Sequence, residues 1–144
     1  MIRNRLKIII DTNVLLVAIS PHSQYHWILE ELIAGDYEIY ISNEILLEYE
    51  EIISQRYDKQ LVDELFELFL VLPNVFKISP YFHWNLIIND SDDNKFVDCA
   101  VSGNVYCIVT HDKDFNVLKR TDFPKIKVCK IDDFKKSLFL HINK

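Results

Sequence analysis

Four acidic residues, Asp11, Glu48, Asp93 and Asp112, occupy positions from which they could act together. One follows an early apolar run, one lies in a middle helical segment, one begins a late helical segment and one follows a late apolar run. Carboxylates brought within several ångströms of one another cannot all stay ionised without a compensating cation. Hard oxygen ligands without a His or Cys partner select Mg²⁺ or Mn²⁺ rather than zinc. The pattern therefore predicts a site for a divalent metal.

Asp11 and Asp112 are positioned by the apolar runs that precede them. Residues 6–10 and 105–110 lack polar alternation, which is typical of strands covered on both faces, as in a parallel sheet. In open α/β sheets the ligand crevice lies beyond the carboxyl ends of the strands. Both carboxylates are therefore expected at the same edge of the sheet.

Segments with helical spacing lie between short apolar segments along the whole chain. Helices are predicted over 25–34, 43–55 with Ser42 as N-cap, 59–72 and 93–102, and further strands over 38–41, 75–78 and 127–131. Strands that alternate with helices imply an α/β domain with a central, mostly parallel sheet. No stretch rich in Pro, Gly or Ser divides the chain, so residues 1–144 are expected to form a single domain.

Two of the four acids each have a second interpretation. Asp93 falls in the first turn of its predicted helix, where a carboxylate can cap free amides and favour the helix dipole. Glu44, Glu48 and Glu51 share one helical face, and the usual explanation of such a face is solvation. Glu48 also lies three residues after the apolar Ile45, which would place it at the rim of the core.

The composition excludes several other kinds of site. The only glycines are Gly35 and Gly103, so a Gly-rich phosphate-binding loop is excluded. The three cysteines lack C-x-x-C spacing, which predicts neither a disulfide framework nor a zinc site and suits a reducing cytoplasm. Lys7 and Asp11 interrupt the apolar N-terminal run, so we expect neither a targeting segment nor a membrane span.

Charge is unevenly distributed along the chain, although the net charge is −6. Residues 1–112 hold 7 basic and 18 acidic side chains, whereas residues 113–144 hold 9 basic and 4 acidic ones. Lys113, Lys119 and Arg120 follow Asp112 closely and could hold the phosphate backbone of a nucleic acid such as RNA beside the predicted site. The alternative is a soluble surface of scattered lysines.

Four segments resemble the successive motifs of the PIN-domain family. They are IIIDTNVL at 8–15, SNEILLEY at 42–49, DSDDNKF at 90–96 and IVTHDKDF at 108–115. Within the family the sequence is most similar to the toxin components of bacterial toxin–antitoxin systems, from about Lys7 to about Phe134. The resemblance implies a three-layer α/β/α fold and an endoribonuclease that hydrolyses RNA phosphodiester bonds with water activated by Mg²⁺ or Mn²⁺. It also implies a cognate antitoxin partner.

The resemblance assigns catalysis and metal binding to four acidic residues. These are Asp11, Glu48, Asp93 and Asp112. Asp92 is the alternative to Asp93, because a shift in the register of this motif would exchange them, and Asp114 is either a further ligand or a local cap. Asn13 and Thr110 match polar positions that line the same pocket in the family, while His111 is a neighbour that the implied mechanism does not require.

Two other stretches suggest contacts. The segment 65–72 is too apolar for one narrow helical stripe, which predicts either deep burial or the contact of a homodimer, and an antitoxin could cover part of this surface. The aromatic cluster at 81–84 either stacks on unpaired bases or packs in the core or an interface.

Two other functions remain to be weighed. A phosphatase with an aspartate nucleophile requires Asp-x-Asp, but Asn13 stands where the second acid would be. A non-catalytic PIN-like module that binds RNA or protein is the stronger alternative. Because all four acidic positions are filled, the sequence favours the enzyme.

Overall fold

Strands and helices alternate along residues 4–143, the part of the chain that the computed structural model describes. The elements are β1 (Leu6–Ile10), α1 (Thr12–Ala18), α2 (Trp27–Ile33), β2 (Tyr37–Ile41), α3 (Asn43–Ser54), α4 (Lys59–Val71), β3 (Val75–Lys77), α5 (Asn94–Gly103), β4 (Cys107–Val109), β5 (Val128–Cys129) and α6 (Ile131–Ile142). Two 3₁₀ segments, Ser91–Asp93 and Lys113–Arg120, precede α5 and follow β4.

The five strands form one parallel sheet in the order β3-β2-β1-β4-β5. The central strand β1 pairs with β2, where Ile8 lies opposite Ile39, and with β4, where Ile9 lies opposite Ile108. The chain first forms β2 and β3 on one side of β1 and then forms β4 and β5 on the other side. The junction of β1 and β4 is therefore the switch point at which α/β sheets open a crevice beyond the strand ends.

The core explains the apolar runs. Residues 8–10 of β1 and the whole of β4 are buried, as expected for strands that lie between two layers. Helix α5 packs against β1, β2 and β4, α2 packs against β2, and α6 packs against β5. The sheet is therefore flanked by helices, and the α/β prediction is confirmed. None of the helices described in residues 4–143 has the length and the apolar character needed to cross a membrane.

The element boundaries show where local signals were sufficient. Helix α3 begins after Ser42, whose Oγ accepts a hydrogen bond from the Ile45 amide at 3.2 Å, as predicted for an N-cap. The strand predicted over 127–131 was too long, because Ile131 already begins α6. Helices α1 and α6 and the 3₁₀ segment after β4 were not predicted from local patterns.

The aromatic cluster at 81–84 lies largely at the surface. Tyr81 is 89% exposed, and Phe82 is exposed as well. Trp84 is half-buried and its ring lies 5.7 Å from that of the exposed Phe123. Packing in the core is therefore wrong for the first two aromatic residues of this cluster.

Tyr49 connects α3 to the carboxyl end of β1. Its ring is fully buried, and its hydroxyl donates a hydrogen bond to the carbonyl of Ile10, the last residue of β1. Asp11 follows Ile10, and Glu48 precedes Tyr49. This buried contact therefore fixes the relative position of two of the predicted site residues.

Replacing Tyr49 by Phe removes this donor from a buried carbonyl, so we expect the free energy of unfolding to fall by about 1–3 kcal/mol. Urea denaturation followed by circular dichroism measures the change. Tyr40→Phe is the matched control, because the Tyr40 hydroxyl donates to Glu38 Oε1 at 3.3 Å in a partly buried contact and not to a buried backbone carbonyl. Its loss is expected to stay within about 0.5 kcal/mol, and equal losses in the two variants would contradict the role given to Tyr49.

Candidate active site

Asp11 lies directly after β1 and is tied to the end of β4. Its amide donates to the carbonyl of Val109 at 3.0 Å, which continues the parallel pairing by one residue. Its Oδ2 accepts a hydrogen bond from Thr110 Oγ1 at 2.7 Å, and the residue is only 4% exposed. Two strand ends that are distant in the sequence thus hold one buried carboxylate in a fixed orientation.

Thr110 also positions the acid that follows β4. The amide of Asp112 donates to Thr110 Oγ1 at 3.0 Å, and Asp112 Oδ1 accepts from the amide of Asp114 at 2.9 Å. The carboxylate of Asp112 therefore caps the N-terminus of the second 3₁₀ segment, and the residue is half-buried. The single hydroxyl of Thr110 fixes Asp11 and the backbone of Asp112 together.

Glu48 lies at the rim of the core on α3, and its side chain is 23% exposed. Thr12 Oγ1 donates to Glu48 Oε2, and Lys95 Nζ lies 2.8 Å from Glu48 Oε1. Glu44 and Glu51 on the same helix are exposed. Of the three glutamates, Glu48 is thus the one that α1 and α5 hold in place.

Asp93 is buried at the end of the first 3₁₀ segment, with 7% exposure. Asp93 occupies the N-cap position of α5, but its side chain makes no cap hydrogen bond there, so capping by a hydrogen bond does not explain its burial. Its Oδ2 is buried without a hydrogen-bond partner among the described residues. Burial, followed by repulsion from Asp90, Asp11 and Asp112, raises the pKa of Asp93 to about 8.

The four predicted acids are electrostatically coupled at the carboxyl edge of the sheet. Burial raises the pKa of Asp11, the hydrogen bond from Thr110 opposes this rise, and repulsion from Asp112 and Glu48 adds to it. Asp93 is repelled by two of the same groups. A donor set made only of carboxylates, one of which has a buried oxygen without a partner, fits a hard divalent cation.

Asp90 belongs to this acidic region, although sequence reasoning did not select it. Carboxylate oxygens of Asp90, Asp93 and Asp114 lie within 4.8 Å of one another. Asp92 is exposed, and its amide donates to Asp90 Oδ1 at 3.1 Å, so its side chain lies outside this group. The D-x-x-D spacing of Asp90 and Asp93, one turn apart before α5, is the signal that could have identified Asp90.

A family model described as PIN domain matches residues 7–114. The chain belongs to the PIN-domain family. Among solved structures, "VapBC2 from Rickettsia felis bound to a DNA fragment from their promoter" has a TM-score of 0.61 at 21% identity, over 87% of this chain and 98% of that chain. No curated protein sequence matches this chain significantly.

Two further solved structures share the fold. FitAcB from Neisseria gonorrhoeae has a TM-score of 0.52 at 18% identity, over 85% of this chain and 96% of that chain. The PIN domain of RRP44 from T. brucei has a TM-score of 0.51 at 12% identity, over 97% of this chain and 84% of that chain. At these identities the likeness concerns the PIN fold alone.

Two cavities flank the acids of this PIN domain. One, of about 330 Å³, is lined by Asp11, Asp112 and Asn13. The other, of about 240 Å³, is lined by Thr110 together with Lys113 and Lys119. Arg120, the third predicted RNA-binding residue, is exposed at the end of the same 3₁₀ segment.

The raised pKa of Asp93 makes the stability of the metal-free PIN domain depend on pH. At pH values between the usual pKa of 3.8 and the folded value of about 8, the Asp93 carboxyl is ionised in the unfolded chain but still protonated in the native state. The native state then binds more protons, so its stability falls as pH rises through this window. Asp93→Asn removes this contribution. We therefore expect the substitution to raise the free energy of unfolding of the metal-free protein by at least about 1 kcal/mol more at pH 8 than at pH 5.

Thermal and urea unfolding in the presence of a chelator measure the effect at both pH values. Asp92→Asn is the matched control, because Asp92 is exposed beside Asp93. If the control gained as much stability as Asp93→Asn, the buried environment of Asp93 would not be the cause.

Proposed function

We propose that this PIN domain is a divalent-metal-dependent endoribonuclease and that the whole chain acts as one such domain. The observation that carries the proposal is the convergence of Asp11, Glu48, Asp93 and Asp112, with Asp93 Oδ2 buried and unpartnered among the described residues. Mg²⁺ or Mn²⁺ held by these carboxylates would polarise the scissile phosphate and activate the attacking water. The proposed products carry 5′-phosphate and 3′-hydroxyl ends.

The protein's own residues keep the carboxylates ready for this role. The hydrogen bond from Thr110 favours the ionised form of Asp11 against the effect of burial. Thr12 and Lys95 hold the two oxygens of Glu48 from opposite elements. These contacts orient the acids before any ligand arrives, which reduces the reorganisation required when substrate binds.

The basic side chains next to the acids favour a polyanionic substrate. Lys113 and Lys119 line the cavity on the far side of Asp112, and Arg120 ends the same segment in an exposed position. We propose that these residues hold phosphates of the RNA backbone close to the scissile bond. With RNA as its substrate, the protein is proposed to act in the cytoplasm.

A cognate antitoxin and a homodimer are proposed as protein partners. The likeness of the four motifs to toxin components supports the antitoxin, and the fold shared with VapBC2 and FitAcB is consistent with it. On α4, Leu65 and Phe69 are buried, whereas Leu70 is 81% exposed and Val71 is also exposed. The exposed pair is the proposed dimer contact.

If the homodimer forms through α4, we expect Leu70→Glu to convert the dimer to monomers, because the new charge would be buried in the contact. Analytical ultracentrifugation measures the sedimenting mass. Leu140→Glu is the control, since Leu140 on α6 is also exposed. A wild-type monomer, or a dimer that both variants disrupt equally, would exclude this interface.

The second candidate function is a non-catalytic binding module. The ion pair between Lys95 and Glu48 favours it, because Lys95 neutralises one of the four acids without a metal. One positive charge cannot compensate the remaining carboxylates, however. The enzyme therefore remains the better explanation of the whole group.

The two functions differ in the response to single isosteric substitutions. We expect Asp11→Asn and Glu48→Gln to lower the rate of single-stranded RNA cleavage by at least about 100-fold, because each removes a charge that the metal requires. Glu51→Gln is the matched control on α3 and is expected to cleave like the wild type, since Glu51 is exposed.

Cleavage of end-labelled RNA in Mg²⁺ or Mn²⁺ measures the rates, and unfolding curves verify that the variants fold. If pure wild-type protein cleaved nothing with either ion, or if Asp11→Asn cleaved equally well, the binding module would be the correct function.

A further inference from the structure

We propose that the cavity beside Asp11 and Asp112 binds the unpaired nucleobase next to the scissile phosphate, with Tyr25 and His111 as the residues that recognise the base. This inference rests on the proposed ribonuclease function and deepens it. It assigns a role to two side chains that the metal chemistry does not use.

The shape and lining of the cavity suit a single nucleotide. Its volume of about 330 Å³ lies near the lower end of the range of roughly 300–1,000 Å³ for small-ligand pockets. Asp11 and Asp112 form its acidic side, whereas Val14, Val17 and Ile131 give it an apolar wall. A ligand that fits both sides must join a flat apolar group to a group that a cation can hold against carboxylates. A nucleobase attached to its phosphate has this combination.

Tyr25 supplies an aromatic ring on the wall of this cavity. It belongs to the connection between α1 and α2, where its amide donates to Ser23 Oγ at 3.0 Å and its carbonyl accepts from the Ile28 amide at 3.0 Å. The backbone on both sides of Tyr25 is thereby fixed. Aromatic side chains positioned in this way stack on unpaired bases in proteins that bind single strands.

His111 adds a hydrogen-bond donor of defined identity. Its Nε2 accepts a hydrogen bond from the amide of Ile131 at 3.1 Å. Because this nitrogen is an acceptor, the ring carries its proton on Nδ1, and the tautomer is set by the backbone. His111 is therefore suited to donate to a carbonyl or ring nitrogen of a base rather than to act as the general base.

The second cavity indicates how the RNA strand would lie across the site. The cavity of about 240 Å³ that contains Lys113, Lys119 and Lys130 shares His111 and Asp112 with the first cavity. An RNA strand that crosses this shared wall would place a base on the apolar side and a backbone phosphate among the lysines. The two cavities together thus fit consecutive groups of one strand.

Binding of ribonucleoside 5′-monophosphates compared with ribose 5-phosphate isolates the contribution of the base. Isothermal titration of the full chain in Mg²⁺ measures both, and neither ligand can be cleaved as RNA. We expect at least one of the four nucleotides to bind roughly tenfold or more tightly than the sugar phosphate. We expect Tyr25→Leu and His111→Ala each to reduce this ratio, while Tyr25→Phe, which keeps the ring, preserves it.

Tyr106→Leu is the matched control, because Tyr106 is exposed, precedes β4 at the end opposite Asp112 and does not line the cavity. The proposal is overturned if every nucleotide binds no better than ribose 5-phosphate, if no nucleotide binds at millimolar concentration, or if the Tyr25→Leu and His111→Ala variants keep the wild-type ratio. Base-dependent binding without RNA cleavage would support the pocket and overturn only the ribonuclease. Cleavage with base-independent binding would do the reverse.

Discussion

Repulsion between carboxylates at one sheet edge is the constraint on which the site depends. Asp11 and Asp93 are buried, and repulsion from Asp11 raises the pKa of Asp93. Within residues 4–143 the fold offers partial compensation, through the Thr110 hydroxyl at Asp11 and the Lys95 ammonium at Glu48. Burying unpaired charges is unfavourable, so proteins that tolerate such a cluster generally gain a cation or hold some of the acids protonated. The buried environment of Asp93 favours its protonated form. The all-oxygen donor set is suited to binding a cation.

The parallel topology creates this cluster from distant parts of the chain. Because β1 and β4 are neighbours, Thr110 can donate to Asp11 across a sequence separation of 99 residues. Tyr49 adds the third element by joining α3 to the last carbonyl of β1. These two contacts bring the acids together only when β1, the end of β4 and α3 are packed against one another. The stability of the core and the geometry of the site are therefore coupled. The buried hydroxyl of Tyr49 affects the position of Glu48 because the two residues are neighbours on α3.

Local signals were sufficient wherever one residue or one short run determines the structure. The short apolar run at 6–10 predicted β1 with its observed bounds, and Ser42 predicted the start of α3. Helix α1 was not predicted, because its buried residues follow β1 after one acidic residue and extend the same apolar pattern. The contact of Lys95 with Glu48 depends on the packing of α5 beside α3, which no spacing rule encodes. The grouping of Asp90 with Asp114 likewise requires two loops to meet in space.

The arrangement of charge explains how a domain with net charge −6 could handle a polyanion. The acids lie in the crevice at the strand ends, whereas Lys113 and Lys119 line the cavity directly beyond Asp112. A phosphodiester that approached the acids alone would be repelled, but one that first contacts the lysines is attracted over a Debye length of about 8 Å at physiological ionic strength. Cations at the edge of the crevice and carboxylates within it therefore act at successive distances. Under the proposed function, this separation would allow the same small domain to attract a nucleic acid and to hold the cation that cleavage of the nucleic acid would require.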